Sequence, residues 1–296
     1  ALPAAKPVPM PQALIQESGY YGTSGQQVKL TVSADGKLLL HQVTLAGVPD
    51  QTLTYQSDGS FRDESNTAAI KLVRESNGYT YLYQQSYAPL PGLGILPTSD
   101  YLMVKLPSNS VPAETQAGWD ALMSMNALPL GEKYTSQVYL ALSDAAAQSA
   151  ALAQGGESAP GYVGGHRIVS PTELIYDLPI GRDAGGVTAE GNLLWVSGAP
   201  YLLESGLKNL FTGSGHAYST VQSDGYARWY AVGDEDAGKT MAVTLPKGAG
   251  FYVYDGEFQV AASSFLWGDA SVKLPKGGTV VFTGAPGARF HLSFTA

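Results

Sequence analysis

The sequence predicts a mainly β protein, with an antiparallel meander or half-barrel carrying one or two short helices, followed by a C-terminal antiparallel β-sandwich. Short runs of β-forming residues recur at regular spacing between Gly, Pro and Asp turns, at 226–232, 239–245, 250–254, 258–263, 270–274, 279–283 and 288–294. Within these runs apolar and polar residues alternate, as Met241, Val243 and Leu245 do, which gives each strand one apolar face. The 35 glycines and the low charged fraction of 14% also favour a turn-rich β structure.

The C-terminal runs contain a local repeat that favours two packed sheets. The tetrapeptide LPKG occurs at 245–248 and again at 274–277, each time before a hydrophobic strand. Similar strand–turn units in the two halves of a segment are typical of two sheets packed face to face. Residues 209–296 are therefore predicted to form a β-sandwich module.

The rest of the chain divides into three predicted segments. Residues 1–17 contain Pro3, Pro7, Pro9 and Pro11, a composition typical of a semi-rigid linker or a mature N-terminus. Residues 18–155 are predicted to form a β-rich domain, because the Asp35-Gly36 turn and later turns separate alternating strands. A patch rich in Gly, Ser and Pro at 155–161 marks a boundary, and residues 156–208 are predicted as a β connecting region.

Two helices are predicted inside this first β-rich domain. In residues 114–126, Trp119, Leu122 and Met123 lie at i, i+3 and i+4, which places them on one helical face. Residues 143–153 are rich in alanine and begin with Ser143, a suitable N-cap. A pair of glycines at 155–156 would end this second helix.

Charge and composition exclude several classes of function. The net charge of −8 and the absence of a Lys/Arg cluster argue against nucleic-acid binding, because nothing would neutralise the phosphates. No apolar run reaches the ~20 residues that a membrane-spanning helix needs, so no membrane span is expected. The chain has no cysteine, which excludes disulfides, thiolate metal sites and cysteine nucleophiles.

The sequence carries one weak catalytic motif. An S-x-x-K match occurs at Ser205 and Lys208, a spacing that brings lysine to the serine hydroxyl only when the serine begins a helix. Gly206 disfavours that helix, and about one such match is expected by chance. We therefore predict that this chain by itself is not an enzyme. Hydrolysis at Ser205 is kept as a hypothesis, weaker than the two given at the end of this section.

An acidic cluster supplies the candidate metal ligands. Asp234 and Asp236 flank Glu235, and Asp255 lies in a later turn. Such hard oxygen ligands on a β-sandwich loop could hold Ca²⁺, although the EF-hand spacing is missing. The alternative is a solvated charged loop, so no cofactor is expected other than possible calcium at these three residues.

Aromatic residues supply the candidate ligand-binding positions. Tyr79, Tyr81 and Tyr83 share one face of a predicted strand, and Trp195 and Trp267 lie in the second half of the chain. Exposed rings of this kind stack on sugars or peptides, whereas buried ones pack the core of a β protein. Both interpretations remain open from the sequence, with glycan or peptide as the possible ligand.

Several segments together resemble a known family. The segments are DGYARWY (224–230), GKTMAVTLPKG (238–248), FYVYD (251–255) and VVFTG (280–284). They are similar to the terminal β module of β-lactamase-related (penicillin-binding-protein-like) bacterial serine hydrolases and, more loosely, to the C-terminal β-sandwiches of secreted enzymes. The GYYG segment (19–22) with its following hairpin resembles the lipocalin-like accessory region of that family.

This resemblance implies a function without catalysis in this chain. The catalytic set of the family is not convincingly present, so the chain would be the C-terminal accessory region of a secreted or cell-surface bacterial enzyme. Its partner would be the catalytic serine-hydrolase domain of the same parent chain, which it supports or positions, and it would touch cell-wall or peptide material. The alternative is a free-standing secreted β protein that binds glycans.

Overall fold

The computed structural model describes residue 2 and residues 4–43, 47–123, 125–131, 159–163, 165–181 and 185–296. Over these ranges the protein is mainly β, which confirms the predicted fold class. The chain divides into two compact units, Ala1–Ala121 with Ala151–Gly186, and Leu122–Ala150 with Val187–Ala296. The predicted connecting region, 156–208, is thus shared between the two units.

The first unit contains a closed antiparallel barrel in which each strand pairs with the next along the chain. The strands are β1 (Gly19–Gly22), β2 (Gln27–Val32), β3 (Lys37–Gln42), β4 (Gln51–Tyr55), β5 (Phe61–Arg62), β6 (Ala68–Arg74), β7 (Thr80–Leu90) and β8 (Gly94–Lys105). The predicted meander is confirmed, and it closes fully because Tyr21 and Gly22 of β1 pair with Lys105 and Val104 of β8. Closure pairs the first strand with the last and so removes the open edges of the sheet.

Alternation along the strands decides what fills the barrel. Val28, Leu30 and Val32 of β2 point inward, while Lys29 and Thr31 between them are exposed. The inward residues pack with others from the remaining strands, namely Tyr21, Leu38, Leu40, Leu53, Phe61, Ile70, Leu82 and Met103. The interior is therefore a packed side-chain core, as is usual for an eight-stranded barrel.

The Pro-rich N-terminal segment lies against this barrel. Met10 is buried in the barrel core, and the backbone N–H of Ser57 donates to the carbonyl of Lys6 at 2.8 Å. A 3₁₀-helix, Gln12–Glu17, then leads into β1. The residues predicted as a linker are thus packed into the first unit.

An α-helix, α1 (Ala113–Met123), follows the barrel and confirms the first predicted helix, although it ends before the predicted residue 126. Trp119 is fully buried, and its indole N–H donates to the carbonyl of Ser170 at 2.8 Å.

Strand β9 (Ala127–Pro129) belongs to the second unit, whereas β10 (Tyr162–Val163), β11 (His166–Ser170) and β12 (Glu173–Ile175) belong to the first. The second predicted helix, 143–153, lies outside the described residues. Within the described ranges, no helix is both long and apolar enough to cross a lipid bilayer.

The second unit begins with a small antiparallel sheet. Its strands are β13 (Val187–Glu190), β14 (Leu193–Val196) and β15 (Ala199–Leu203), and β9 pairs with β15. A 3₁₀-helix, Glu204–Gly206, follows β15. These strands confirm the β structure that the sequence predicts for this region.

The remaining strands form the predicted sandwich. One sheet has the order β16-β18-β23-β20-β21 and the other β17-β24-β19-β22. The strands are β16 (Lys208–Asn209), β17 (His216–Thr220), β18 (Arg228–Ala231), β19 (Thr240–Thr244), β20 (Gly250–Tyr254), β21 (Val260–Ser263), β22 (Ser271–Lys273), β23 (Thr279–Thr283) and β24 (Arg289–Thr295). Neighbouring strands in these two sheets run antiparallel, except β16 and β18, which run parallel.

Two central strands depart from the predicted pattern of one apolar and one polar face. All five residues of β20 and all five of β23 are buried. Phe251 and Phe282 pack into the core between the two sheets. Tyr252 and Val281 lie on the opposite face of the five-stranded sheet and pack against Leu128 of β9. The five-stranded sheet is thus covered on both faces, and continuous apolar runs are typical of strands in that position.

Candidate functional site: a tyrosine cleft beside the barrel

A β-bulge between β7 and β8 sets the geometry of the candidate site. Leu82 pairs with Met103 and Tyr83 pairs with Tyr101, so that Leu102 is an extra residue on β8. In a regular strand Tyr101 and Met103 would share a face, and Met103 points into the barrel core. The bulge instead turns Tyr101 to the outer face of the barrel, beside the tyrosines of β7.

The bulge brings three tyrosine rings into one cluster. The ring centroids of Tyr81 and Tyr101 are 4.6 Å apart with an interplanar angle of 42°. The rings of Tyr83 and Tyr101 meet edge to face at 5.6 Å. Both distances lie in the range of attractive aromatic pairs. Tyr101 therefore holds the centre of the cluster and is 37% exposed.

Hydrogen bonds fix the buried member of this cluster. The Tyr81 side chain is 6% exposed, and its hydroxyl donates to the carbonyl of Pro179 at 3.0 Å. The same hydroxyl accepts a hydrogen bond from Asn77 Nδ2 at 2.8 Å. Because Pro179 and Asn77 are far apart in the sequence, this hydroxyl ties the turn before β7 to the segment after β12.

An open cleft of about 590 Å³ lies beside these residues. Its walls include the side chains of Thr23, Glu75, Asn77, Tyr81, Asp100 and Tyr101, together with the turn 179–181. We call it the tyrosine cleft. It presents aromatic faces, carboxylate and carbonyl acceptors and an amide, which are the groups that hold polar ligands such as sugars or peptides.

The electrostatics of the tyrosine cleft are acidic. Glu75 and Asp100 are its charged lining residues, and the hydroxyl of Tyr101 donates to Glu75 Oε1. That hydrogen bond raises the pKa of Tyr101, because it is lost when the phenol ionises. The cleft thus offers acceptors for ligand hydroxyl or ammonium groups.

A second apolar cluster supports the cleft from behind. Tyr81, Val104, Leu106 and Leu178 pack there with Tyr162 on the outer face of the barrel. Burial, followed by the nearby charge of Asp177, raises the pKa of Tyr162 to about 12. The hydroxyl of Tyr162 stays protonated and donates to the carbonyl of Pro107 at 2.7 Å.

Close backbone contacts also hold this region together. A Cβ on Gly165 would lie 2.2 Å from the carbonyl oxygen of Thr23, a lining residue of the cleft. A Cβ on Gly161, where φ is +82°, would lie 2.1 Å from the carbonyl oxygen of Asn109. Glycine is needed at both positions, because any other side chain would push these segments apart.

The structure separates the aromatic residues that the sequence singles out. Tyr79 and Tyr83 are half-buried and Tyr81 is buried, so these three tyrosines do not form an open platform. In the second unit, Trp195 lies half-exposed on β14, and Trp267 is 58% exposed in the turn after β21. Ligand binding by all five aromatic residues stays a prediction. Of Tyr79, Tyr81 and Tyr83, only Tyr81 lines the tyrosine cleft.

Sequence reasoning missed Tyr101, Glu75 and Asp100. Period-2 alternation assigns Tyr101 to the same face as Met103, because the bulge at Leu102 has no strong sequence signal of its own. In the sequence the two carboxylates look like ordinary surface charges. The Tyr-rich strand β7 was the signal that pointed to this region.

The three candidate calcium ligands occupy different local environments, and Asp234 is exposed in the turn after β18. Asp236 is buried, accepts a hydrogen bond from Thr212 and pairs with Lys239 Nζ at 3.0 Å. Asp255 accepts the N–H groups of Glu257 and Gln259, each at 2.9 Å, and so stabilises its own turn. In the described part of the chain, no group of three or more His, Cys, Asp or Glu side chains could hold a metal ion. Calcium binding at Asp234, Asp236 and Asp255 stays a prediction.

The S-x-x-K pair lies on irregular structure. Ser205 is exposed within the 3₁₀-helix Glu204–Gly206, and its hydroxyl lies 3.5 Å from Asn192 Oδ1. Lys208 begins the exposed strand β16. Because the 3₁₀-helix ends at Gly206 and Lys208 lies on a strand, the two residues do not share the helical turn that the catalytic motif requires.

Comparison of the chain with known proteins identifies no relative. No protein-family model matches the chain, and neither a search of curated proteins nor a search of solved structures finds a match.

Proposed function

We propose that this chain is a non-catalytic accessory region of a secreted bacterial serine hydrolase, related to the β-lactamase-like enzymes. In this proposal it recognises cell-wall or peptide material and so positions the catalytic domain of the same parent chain. The observation that carries the proposal is the tyrosine cleft, in which Tyr81, Tyr101, Glu75 and Asp100 present groups suited to binding a polar ligand. Recognition without chemistry is what an accessory region contributes to a hydrolase.

The environment of Ser205 supports the non-catalytic part of the proposal. A serine nucleophile is activated by a base within hydrogen-bond reach, and that base is itself held in place by a third group. The hydroxyl of Ser205 instead lies near the amide of Asn192, which is not a base. Ser205 and Lys208 are also exposed to solvent, and neither side chain is held in a closed pocket.

Activity-based labelling in the producing cell tests this proposal. A fluorophosphonate probe reacts with activated serines, so labelled proteins can be enriched and identified by mass spectrometry. We expect peptides from this chain to appear in a labelled polypeptide longer than 296 residues, with the labelled serine outside the present sequence. Recovery of these peptides only from an unlabelled protein, or labelling of Ser205 itself, would refute the proposal.

A free-standing glycan-binding protein is the second candidate function. Two observations favour it, the exposed ring of Tyr101 beside two carboxylates and the exposed indole of Trp267, which is 58% accessible. Exposed aromatic rings stack on the apolar faces of sugar rings, while carboxylates accept hydrogen bonds from the sugar hydroxyl groups. The two rings lie in different units and offer separate binding positions.

A glycan array with two single variants separates these possibilities. If Tyr101→Ala removes glycan binding and Trp267→Ala does not, the tyrosine cleft is the glycan site. If only Trp267→Ala removes it, the binding position is the turn after β21. Absence of binding by the wild-type chain to every glycan on the array would exclude this second function.

A further inference from the structure

The hairpin that joins β7 and β8 extends beyond the barrel as a two-stranded ribbon. Strand β6 pairs with β7 only as far as Ser86, opposite Ala68. Beyond that point β7 pairs with β8 alone, from Tyr87 opposite Pro97 to Leu90 opposite Gly94. We call residues 87–97 the apolar arm.

The arm exposes apolar side chains on both of its faces. Leu93 at the tip is 84% exposed, Ile95 56%, Leu96 47% and Leu90 38%. Because Leu96 lies opposite Ala88 and Ile95 opposite Pro89, these two side chains project from opposite faces of the ribbon. The sequence has no Asp, Glu, Lys or Arg between Glu75 and Asp100. Apolar surface concentrated in this way marks an interaction site.

Pairing of the arm with a second copy of the chain is disfavoured at its edges. A proline in a ladder has no N–H, so its nitrogen occupies a position that faces the outer edge. Pro89 lies in this position on β7 and Pro97 on β8. Each free edge has therefore lost a donor that a further strand would need.

The area of the arm is also small for a stable dimer. Leu90, Leu93, Ile95 and Leu96 together expose on the order of 400 Å², about half of the ~800 Å² per partner in a standard protein interface. A flat protein surface would in addition cover only one of the two apolar faces. The occupant that fits must surround the ribbon.

We propose that the apolar arm inserts its tip into the surface of an electrically neutral lipid bilayer. Lipid surrounds an inserted element, so both faces leave water at once. The span from Tyr87 to Leu90 is ~10 Å at ~3.3 Å per residue, which matches the depth that interfacial elements reach. At the base, Tyr87 is of the residue type that collects at the membrane–water interface. The net charge of −8 selects neutral over anionic headgroups.

Vesicle co-sedimentation tests this inference, which does not depend on the tyrosine cleft. The probe is sucrose-loaded phosphatidylcholine vesicles, and the test variant is Leu93→Asp, at a site so exposed that folding is unaffected. The matched control is Leu266→Asp, because Leu266 is also an exposed leucine, 51% accessible, but lies in the second unit. We expect about tenfold weaker partitioning for Leu93→Asp and less than a twofold change for Leu266→Asp.

Four results would overturn the proposal. The first is that the wild-type chain fails to sediment with the vesicles, and the second is that Leu266→Asp weakens partitioning as much as Leu93→Asp does. The third is that binding requires anionic lipid and disappears in high salt, which would make charge and not the arm responsible. The fourth is that light scattering shows self-association that Leu93→Asp abolishes, which would make a second copy of the chain the occupant.

Discussion

The hydroxyl of Tyr81 provides the sharpest test of how the tyrosine cleft is held together. It donates to the carbonyl of Pro179 at 3.0 Å and accepts from Asn77 at 2.8 Å, and its side chain is 6% exposed. Tyr81→Phe deletes both hydrogen bonds and leaves the ring, with its packing against Tyr101, in place. The variant therefore isolates the contribution of one buried hydroxyl.

The expected loss follows from the two hydrogen bonds. Each contributes about 0.5–1.5 kcal/mol net, and a buried carbonyl left without its donor adds to the cost. We expect Tyr81→Phe to lower the free energy of unfolding by about 2 kcal/mol. Tyr81→Ala also removes a buried ring, which raises the loss to about 4 kcal/mol.

Urea unfolding measures these changes, with Tyr83→Phe as the matched control. Tyr83 lies on the same strand and contacts the same ring of Tyr101, but its hydroxyl makes none of the hydrogen bonds described above. We expect its loss to stay below about 0.5 kcal/mol. Equal stability of the two Phe variants would refute the claim that the Tyr81 hydroxyl joins the two segments.

Three further predictions concern the first unit. Asp58→Ala should cost roughly 3 kcal/mol, because it removes the carboxylate that pairs with the buried guanidinium of Arg62 at 2.7 Å. Gly161→Ala should cost a similar roughly 3 kcal/mol or more, because its Cβ would collide with the carbonyl of Asn109 at a left-handed φ. The pH dependence should reflect His166, whose pKa burial lowers below 6.5. His166 therefore binds a proton more readily in the unfolded chain than in the folded chain. The free energy of unfolding should fall as the pH drops below ~6.5.

Each of these predictions has its own control. Asp58→Asn keeps a hydrogen-bond acceptor and should be milder than Asp58→Ala; equal losses would argue against the ion pair. Gly92→Ala places a Cβ in open space at a similar left-handed φ, so it separates backbone strain from the collision at Gly161. His166→Asn should flatten the fall in stability between pH 7 and pH 5.5, and an unchanged slope would exclude His166 as its cause.

The sandwich strands could be predicted because their turns carry strong local signals. Gly225, Gly248 and Gly277 all have positive φ and lie in turns that the sequence marks with Asp-Gly or Lys-Gly. Between the turns, alternation assigns Met241 and Val243 to the core, and both are buried. Local backbone preference and burial agree there, so the sequence alone suffices.

Features that depend on distant pairing could not be predicted. The stack of Arg289, Tyr218, His291 and His216 on the outer face of the sandwich arises only because β17 pairs with β24. In the sequence these histidines look isolated. The same holds for the closed barrel, since nothing local to β1 indicates that β8 will be its second neighbour.

The candidate site combines both situations. Tyr81 could be singled out from the Tyr-rich strand, but the sequence left open whether it would be packed or exposed. Tyr101 reaches it only through the bulge at Leu102, and Pro179 only through long-range packing. A one-residue irregularity in a strand reverses the face of every later side chain, and local patterns do not reveal it.

The most direct test of the account is an NMR titration of the chain, with ¹³C-labelled tyrosine, against soluble cell-wall fragments that carry both glycan and peptide. Recognition in the tyrosine cleft predicts that the signals of Tyr81 and Tyr101 shift with the ligand concentration, while that of Tyr218, exposed on the second unit, does not. A shift of the Tyr218 signal alone, or no shift of any tyrosine signal at saturating ligand, would contradict the account.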